Sequence, residues 1–335
     1  MTLLAFGDAR WGCFVKAAVC EGYGPPEVVR IREVPTPVPA ADEVLIRASA
    51  TTVNSGDARV RALRVPRGIG VAVRLKFGLT KPKQPIFGFD VAGRIEAVGL
   101  EVTRFQAGDR VVASRDFDLG CHAEYVTVAE QGAIATIPDS LSEPDAVALC
   151  FGGSTALHFF ARAELAAGQK VLINGASGAV GAMAVQLAKH TGAEVTAVCS
   201  GANADLVASL GADQVVDYTA SDFTHNRQRY DVIMDNQGNA TYPRVKGSLE
   251  PGGQVLMVYG ELWPMIAASW QRAVVSGTAT ISADHLRTLI DLTERGQLQP
   301  VIDSVLPFAQ IVDAHRRVDS GHKVGSLVLT LDHQD

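Results

Sequence analysis

Residues 171–181, V-L-I-N-G-A-S-G-A-V-G, restrict what this chain can fold into more than any other stretch. A short apolar run stops at three glycines spaced G-x-x-G-x-x-G, and a helix-like run, A-M-A-V-Q-L-A-K, follows. In a strand–turn–helix unit of this kind one glycine permits the tight turn, one lets a pyrophosphate approach the backbone, and one lets the helix pack against the strand. The helix start then presents unpaired N–H groups and a positive dipole to the anion. Gly175, Gly178 and Gly181 fill the glycine places, with Ser177, Ala179 and Val180 supplying backbone donors.

The surroundings strengthen this reading. Apolar runs at 170–174, 194–199, 214–217, 231–235, 254–259 and 278–282 alternate with helix-length connections. Six such strands predict an α/β region with a doubly wound, six-stranded parallel sheet. It begins near Ser142, where S-E-P-D-A-V-A-L has the N-cap and early proline of a helix start. Before it, the first ~140 residues read as β: Glu43–Val53 alternates with period two, placing Val44, Ile46 and Ala48 on one face. Residues 58–85 read as an irregular excursion with one short helix. After a helix ending at Gly296, the tail (a strand, a helix, then S-L-V-L-T-L) repeats neither region and is expected to return to the first. The expected division is therefore 1–140 with 296–335, and 141–295 between them.

Bulk properties limit the function. A net charge of −6 with scattered Lys and Arg argues against a nucleic-acid or anionic-membrane surface. No apolar run approaches the ~20 residues of a membrane span. The opening M-T-L-L-A-F-G-D has too short an apolar run for a secretory signal and reads as an extension ahead of a strand near Lys16. Cysteines 13, 20, 121, 150 and 199 form no C-x-x-C pair, which suits a reducing compartment, with cytoplasm expected.

The end of the second strand bears on which dinucleotide binds. NAD sites place Asp or Glu there, about 20 residues past the glycines. Here the strand ends C-S-G-A-N, with no acid before Asp205. Ser200 and Asn203 could donate to a 2′-phosphate, which favours NADPH over NADH. No Lys or Arg lies between 190 and 226, so a pairing cation must come from elsewhere.

K-A-A-V-C-E-G-Y-G-P-P-E-V-V, G-F-D-V-A-G-R-I-E-A-V-G, F-Q-A-G-D-R-V, A-E-Y-V, V-L-I-N-G-A-S-G-A-V-G, S-L-G-A-D and D-Y, in that order, resemble the medium-chain dehydrogenase/reductase superfamily, in its zinc-free quinone oxidoreductase branch. The resemblance runs from about Lys16 to Leu331. It implies a GroES-like (chaperonin-10-like) β domain in two sequence pieces, a Rossmann domain between them, and NADPH-dependent reduction of quinones or α,β-unsaturated carbonyls. It also implies a homodimer formed through the strands around 254–282.

Where zinc-dependent relatives carry Cys, His-Glu and Cys ligands, this chain carries Asn54, Phe89 and Phe151 beside Cys150. Asn and Phe do not make a three-ligand zinc site, so no metal is expected. Without a Lewis acid, substrates whose own conjugation absorbs the incoming charge suffer least. Asn54 is expected near the nicotinamide as the catalytic candidate, with a turn asparagine bonding its own backbone as the alternative. The family pattern puts Thr155 and Tyr218 near the cofactor's phosphates, with a plain helix hydroxyl and a packed aromatic as alternatives. Asn236, Val258, Tyr259 and Gly260 should lie at the carboxyl edge of the sheet, where the nicotinamide rests.

Arg59 and Arg61 read as solvated surface arginines, with a substrate carboxylate or phosphate as the alternative. His158 and His190 read as structural, and His315, His322 and His333 as part of an exposed tail. No residue suggests itself as proton donor, which leaves water. Two other functions stay open: an NADPH sensor or store without turnover, and enoyl-thioester reduction using the basic 59–83 stretch.

Overall fold

The structure is a computed structural model, and it describes residues 14–64, 74–75, 77–225, 227–259 and 273–332. Cys13, Gly260 and His333 lie outside that set.

The chain opens with an antiparallel ribbon of β1 (Phe14–Cys20) and β2 (Val29–Pro35). β3 (Glu43–Thr52) follows and leads into helix α1 (Ser55–Ala62). Next come β4 (Asp90–Val98), β5 (Arg110–Ser114), β6 (Tyr125–Ala129) and β7 (Ala133–Thr136). The period-two reading of β3 locates Val44, Ile46 and Ala48 in the core, but Leu45 between them is buried too. β3 is a central strand, with β4 on one side and β15 (Ser326–Thr330) and β6 sharing the other, and both of its faces are covered.

Helix α2 (Glu143–Ala163) then begins with Ser142 as N-cap, its hydroxyl accepting from the Asp145 N–H, and with Pro144 in the first turn. At 21 residues it is long and apolar enough to cross a membrane. The expectation that no apolar run reaches that length is corrected here. Most of α2 is buried inside the protein, as in the core helix of a globular chain.

Beyond it come β8 (Lys170–Asn174), α3 (Ala179–Thr191), β9 (Glu194–Cys199), α4 (Ala204–Ser209), β10 (Gln214–Asp217) and β11 (Tyr230–Asp235). After these lie α5 (Tyr242–Val245), β12 (Leu249–Met257), β13 (Val274–Ser276) and α6 (Ala283–Glu294). The parallel sheet has the order β10-β9-β8-β11-β12-β13, so the chain reverses direction between β8 and β11. In doubly wound sheets ligands bind outside the carboxyl ends of the strands at such a reversal.

The sixth strand is not where the sequence put it. Gly277 adopts φ +132° and breaks the extended run, so β13 ends at Ser276 and residues 278–282 lie outside the ladder. Their alternating pattern has another origin: Ala279 and Ile281 pack against the main core from a loop.

β14 (Ile302–Pro307), α7 (Ile311–Asp319) and β15 (Ser326–Thr330) complete the chain. β15 pairs with β3 and β14 with β15, so these last strands extend the first sheet. His315 is fully buried, which corrects its placement in an exposed tail. It shares one face of α7 with Ile311, Ala314 and Val318, at helical spacing, and packs edge-on to His122 with centroids 6.2 Å apart. Burial, with His122 and Arg61 nearby, holds its pKa well below the usual imidazole value. It is therefore neutral at physiological pH.

Candidate active site

The three glycines do three separate jobs. Gly175 turns the chain at φ +79°, in the left-handed region that glycine tolerates. At Gly181 a Cβ would fall 2.1 Å from the Gly175 carbonyl oxygen, so only glycine lets α3 sit this close to the turn. At Gly178 a Cβ would meet nothing nearer than 3.6 Å, which leaves that face open to a ligand. Gly178 is also the N-cap of α3, and no side chain caps the helix there. Its first N–H groups are thus left to an anion.

Two adjoining hollows meet at this loop. The larger, about 600 Å³, is lined by Gly175, Ser177, Ser200, Asn203, Tyr218 and Lys323, among others. The smaller, about 290 Å³, runs along Ser177–Gly181 to Asn54, Arg59, Phe151 and Asn236. Another hollow of about 720 Å³, between the end of α3 and residues 293–300, touches none of the glycines.

The first hollow gathers the residues expected around the adenosine end. Asn203 Nδ2 donates to Ser177 Oγ at 3.1 Å and to Ser200 Oγ at 3.2 Å, tying the glycine loop to the end of the second strand. Tyr218, 57% exposed, flanks them and is free of the core packing that was its alternative.

An acid does stand nearby, though not at the expected place. Asp217 ends β10 with a carboxylate oxygen 2.5 Å from where a Cβ on Gly201 would be. Its Oδ1 is taken by the Thr219 N–H and hydroxyl, and it lines neither hollow.

A cation that sequence reasoning lacked is Lys323, which lines both hollows; Arg244 also lines the larger one but is paired to Asp222 at 2.8 Å. Lys323 arrives from the far end of the chain, in the turn before β15. There the Gly325 N–H donates to Ser177 O at 2.8 Å and docks the turn on the phosphate loop. Nζ donates to Gly325 O at 2.5 Å, and desolvation lowers its pKa to about 8. The only sequence signal was a basic residue in S-G-H-K-V-G-S, 145 positions beyond Gly178.

The second hollow is walled by side chains. Asn54 is the N-cap of α1: Oδ1 accepts from the Gly56 and Asp57 N–H groups at 2.8 and 3.2 Å, and Asp57 returns a bond to its backbone. The turn role and the cleft position thus hold together, because Nδ2 remains buried without a partner. Asn236 Nδ2 donates to Asn174 O at 3.1 Å, and its Oδ1 is likewise buried and unpaired. A ligand carboxamide, which both donates and accepts, suits two such orphaned atoms.

Val258 follows β12 and donates its N–H to Asp235 O, and Tyr259 stands under Arg59. Thr155 is not part of the gathering. It lies in the middle of α2, its hydroxyl donates to Phe151 O at 2.6 Å, and it lines neither hollow.

Where a zinc ligand would be sought, Phe89 packs edge-on against Phe117 and Phe151, with centroids 5.7 and 5.8 Å apart. Cys150 is buried, its thiol donates to Ala146 O, and desolvation raises its pKa well above the usual value. Among the described residues no three His, Cys, Asp or Glu side chains cluster as a ligand set.

The arginines correct the sequence reading. Arg61 is fully buried, donating to Gly24 O and Asp319 Oδ2, both at 2.5 Å. Arg59 is half-buried with its Cζ 3.6 Å from the Tyr259 ring centroid. Neither is a solvated surface charge: Arg59 is held against Tyr259 and Arg61, pointing away from it around α1, against Gly24 and Asp319.

A dinucleotide cleft at a strand-order reversal, beside a second β sheet that joins strands from residues 43–136 to strands from 302–330, defines a class of two-domain pyridine-nucleotide oxidoreductases. Family models match as an alcohol dehydrogenase GroES-like domain over residues 40–139 and as a zinc-binding dehydrogenase over 210–329. The chain is 30% identical to a chloroplastic quinone-oxidoreductase homolog of Spinacia oleracea, covering 92% of this chain and 96% of that one. It is also 30% identical to a chloroplastic NADPH-dependent alkenal/one oxidoreductase of Arabidopsis thaliana, over 94% and 79%. The structure of a quinone oxidoreductase from Coxiella burnetii superposes with TM-score 0.86 at 27% identity, covering 95% of this chain and all of that one. This chain belongs to the medium-chain dehydrogenase/reductase superfamily, in its quinone oxidoreductase-like branch.

The expectation of a cytoplasmic location is overturned by the same relatives, whose names place them in chloroplasts. Unpaired cysteines report a reducing environment, and that is not unique to one compartment.

Proposed function

We propose that the chain reduces quinones or α,β-unsaturated carbonyls with NADPH and needs no metal to do so. The observation that carries this is the composition of the cleft: a backbone-built anion site opening onto a floor of Phe151, backed by the buried Phe89, and two half-satisfied asparagines. The names of the relatives support the same chemistry.

NADPH bound here would supply a hydride. The protein's part is to hold and orient. N–H groups of the 177–181 loop take the pyrophosphate, and Ser200, Asn203 and Lys323 take the 2′-phosphate. Asn54 Nδ2 and Asn236 Oδ1 align the carboxamide, and Tyr218 borders the adenosine. The phenylalanines exclude water from the reacting face. The acceptor's conjugation carries the negative charge, and water returns the proton.

We place the β domain at 1–140 with 296–335 and the dinucleotide domain at 141–295, consistent with the C-terminal strands joining the first sheet. β13, at the edge of the parallel sheet, suits pairing with a second copy as a homodimer. Light scattering on the eluting protein reads that directly.

The main test follows NADPH and NADH absorbance at 340 nm against a panel of quinones and enones, with and without a chelator. Chelator-resistant oxidation of NADPH is expected. Turnover abolished by metal removal would overturn the proposal, and binding without oxidation would identify a sensor or store.

A further inference from the structure

The segment after Asn54 carries three arginines, and the protein answers them in two ways. Arg61 and Arg64 share one carboxylate: Asp319 Oδ2 lies 2.5 Å from Arg61 Nη2 and Oδ1 lies 3.2 Å from Arg64 Nη2. Arg59 has no acidic partner among the described residues. Its guanidinium instead lies over Tyr259 at 3.6 Å. Burial pulls its pKa below the usual arginine value, and no carboxylate stands among the opposing influences, only Tyr259.

An arginine stays charged through such a shift, so a desolvated positive charge remains in the cleft. Stacking on an aromatic face offsets part of the cost but uses the flat of the guanidinium. The in-plane N–H fork, whose geometry matches a carboxylate, is left for a ligand.

Position decides which ligand. Lys323 lines both hollows, whereas Arg59 lines only the smaller one. That hollow runs from the glycine loop to Asn54, Phe151 and Asn236 and also takes in the Arg64–Asp319 pair. The stack on Tyr259 sets Arg59 on its α1 wall. The stack also spans the cleft, from α1 on one wall to the end of β12 on the other, which holds the cation in place. We propose that Arg59 selects acceptors bearing a carboxylate across the conjugated double bond from the carbonyl, so that the preferred substrates of this site are anionic enones.

This rests on the NADPH reductase reading. For trans-4-oxo-2-pentenoate the reaction balances simply. Hydride from NADPH forms the C–H bond at C2, beside the carboxylate, as the C2–C3 π bond breaks. A water proton adds at C3, and the products are 4-oxopentanoate, NADP⁺ and a hydroxide taken up by the buffer.

The test compares this acid with its methyl ester in the full chain, for wild type, Arg59→Gln and Arg59→Lys. Wild type is expected to favour the acid by about tenfold or more in kcat/KM. Arg59→Gln should raise KM for the acid by about 10- to 100-fold while changing the ester and NADPH by less than about twofold, and Arg59→Lys should recover part of the loss. A titration of the NADPH-loaded protein with 4-oxopentanoate, followed by calorimetry, reads the same contact without turnover.

Equal use of acid and ester by wild type would overturn the proposal. So would a uniform rise in KM for NADPH in Arg59→Gln, which would assign Arg59 to a cofactor phosphate. A fall in kcat shared by acid and ester would do the same, since Arg59 would then polarise the carbonyl. If NADPH binds but no acceptor is reduced, the proposed function fails and the titration still decides. Binding lost in Arg59→Gln supports Arg59 as the anion site, and no binding by wild type rejects it.

Discussion

The two ends of the cleft are built on different principles. The end proposed to hold phosphate is made largely of backbone: three glycines, a helix start and one docked turn, with few side chains that could be exchanged. The end proposed to hold the acceptor is made of side chains from α1, α2 and the ends of β11 and β12, and each does a structural job as well. Asn54 caps a helix, Phe89 and Phe151 fill a core edge, and Arg59 rests on Tyr259. Such a division lets the cofactor site stay fixed while the substrate site varies, because a side chain can change without moving the loop.

That contrast can be broken first at Gly181. Gly181→Ala forces a methyl group to within 2.1 Å of backbone that cannot yield, so it should cost about 3 kcal/mol or more of stability. Gly178→Ala, whose nearest neighbour is 3.6 Å away, should fold like wild type yet bind NADPH about tenfold more weakly. Thermal melts and NADPH fluorescence titrations separate the two. Equal melting temperatures for both variants would mean the glycines are interchangeable.

Lys323 tests the boundary between the ends at a smaller scale. Lys323→Met should weaken NADPH about tenfold, as expected for one lost charge-assisted bond, and leave NADH unchanged. The wild-type preference for NADPH should also decline as pH rises past about 8, where this amine loses its proton. Lys323→Arg should hold its preference across the same range. A bound phosphate would push the decline to higher pH, and its complete absence up to pH 10 would remove Lys323 from the site.

Asp90, buried behind Phe89, reads out in stability against pH and leaves the cofactor end untouched. Burial raises its pKa to about 7, and its Oδ1 has no partner. The folded chain therefore keeps a proton that the unfolded chain releases near the ordinary value of 3.8. Its contribution to stability falls as pH rises from about 4 to about 7, then levels off. Asp90→Asn should remove that fall, gaining about 2–3 kcal/mol on wild type between pH 5 and 8 in denaturant titrations. A constant difference across that range would show that Asp90 ionises normally.

The same contrast explains what could be read from the chain. The glycine loop and the strand alternation were legible because each depends on local backbone geometry written in consecutive residues. The sixth strand was misplaced because loop residues such as Ala279 and Ile281 also alternate when they pack on a core. Arg59 on Tyr259 joins positions 200 apart, and Lys323 reaches the loop only through the fold, so neither leaves a pattern in sequence. His315 was misjudged because a polar residue on a short terminal helix gives no sign of which face is covered.

Helix α2 has a mechanical consequence. Ala146–Cys150 share one apolar cluster with Ala50, Ala92, Val112 and Val328 of the first sheet and with Val171 and Ile173 of the second. A blade of that kind, seated in two halves at once, makes them poor candidates for separate existence. Cutting the polypeptide ahead of residue 143 would strip one half of its inner lining, and heating the intact molecule should melt both halves in a single cooperative step.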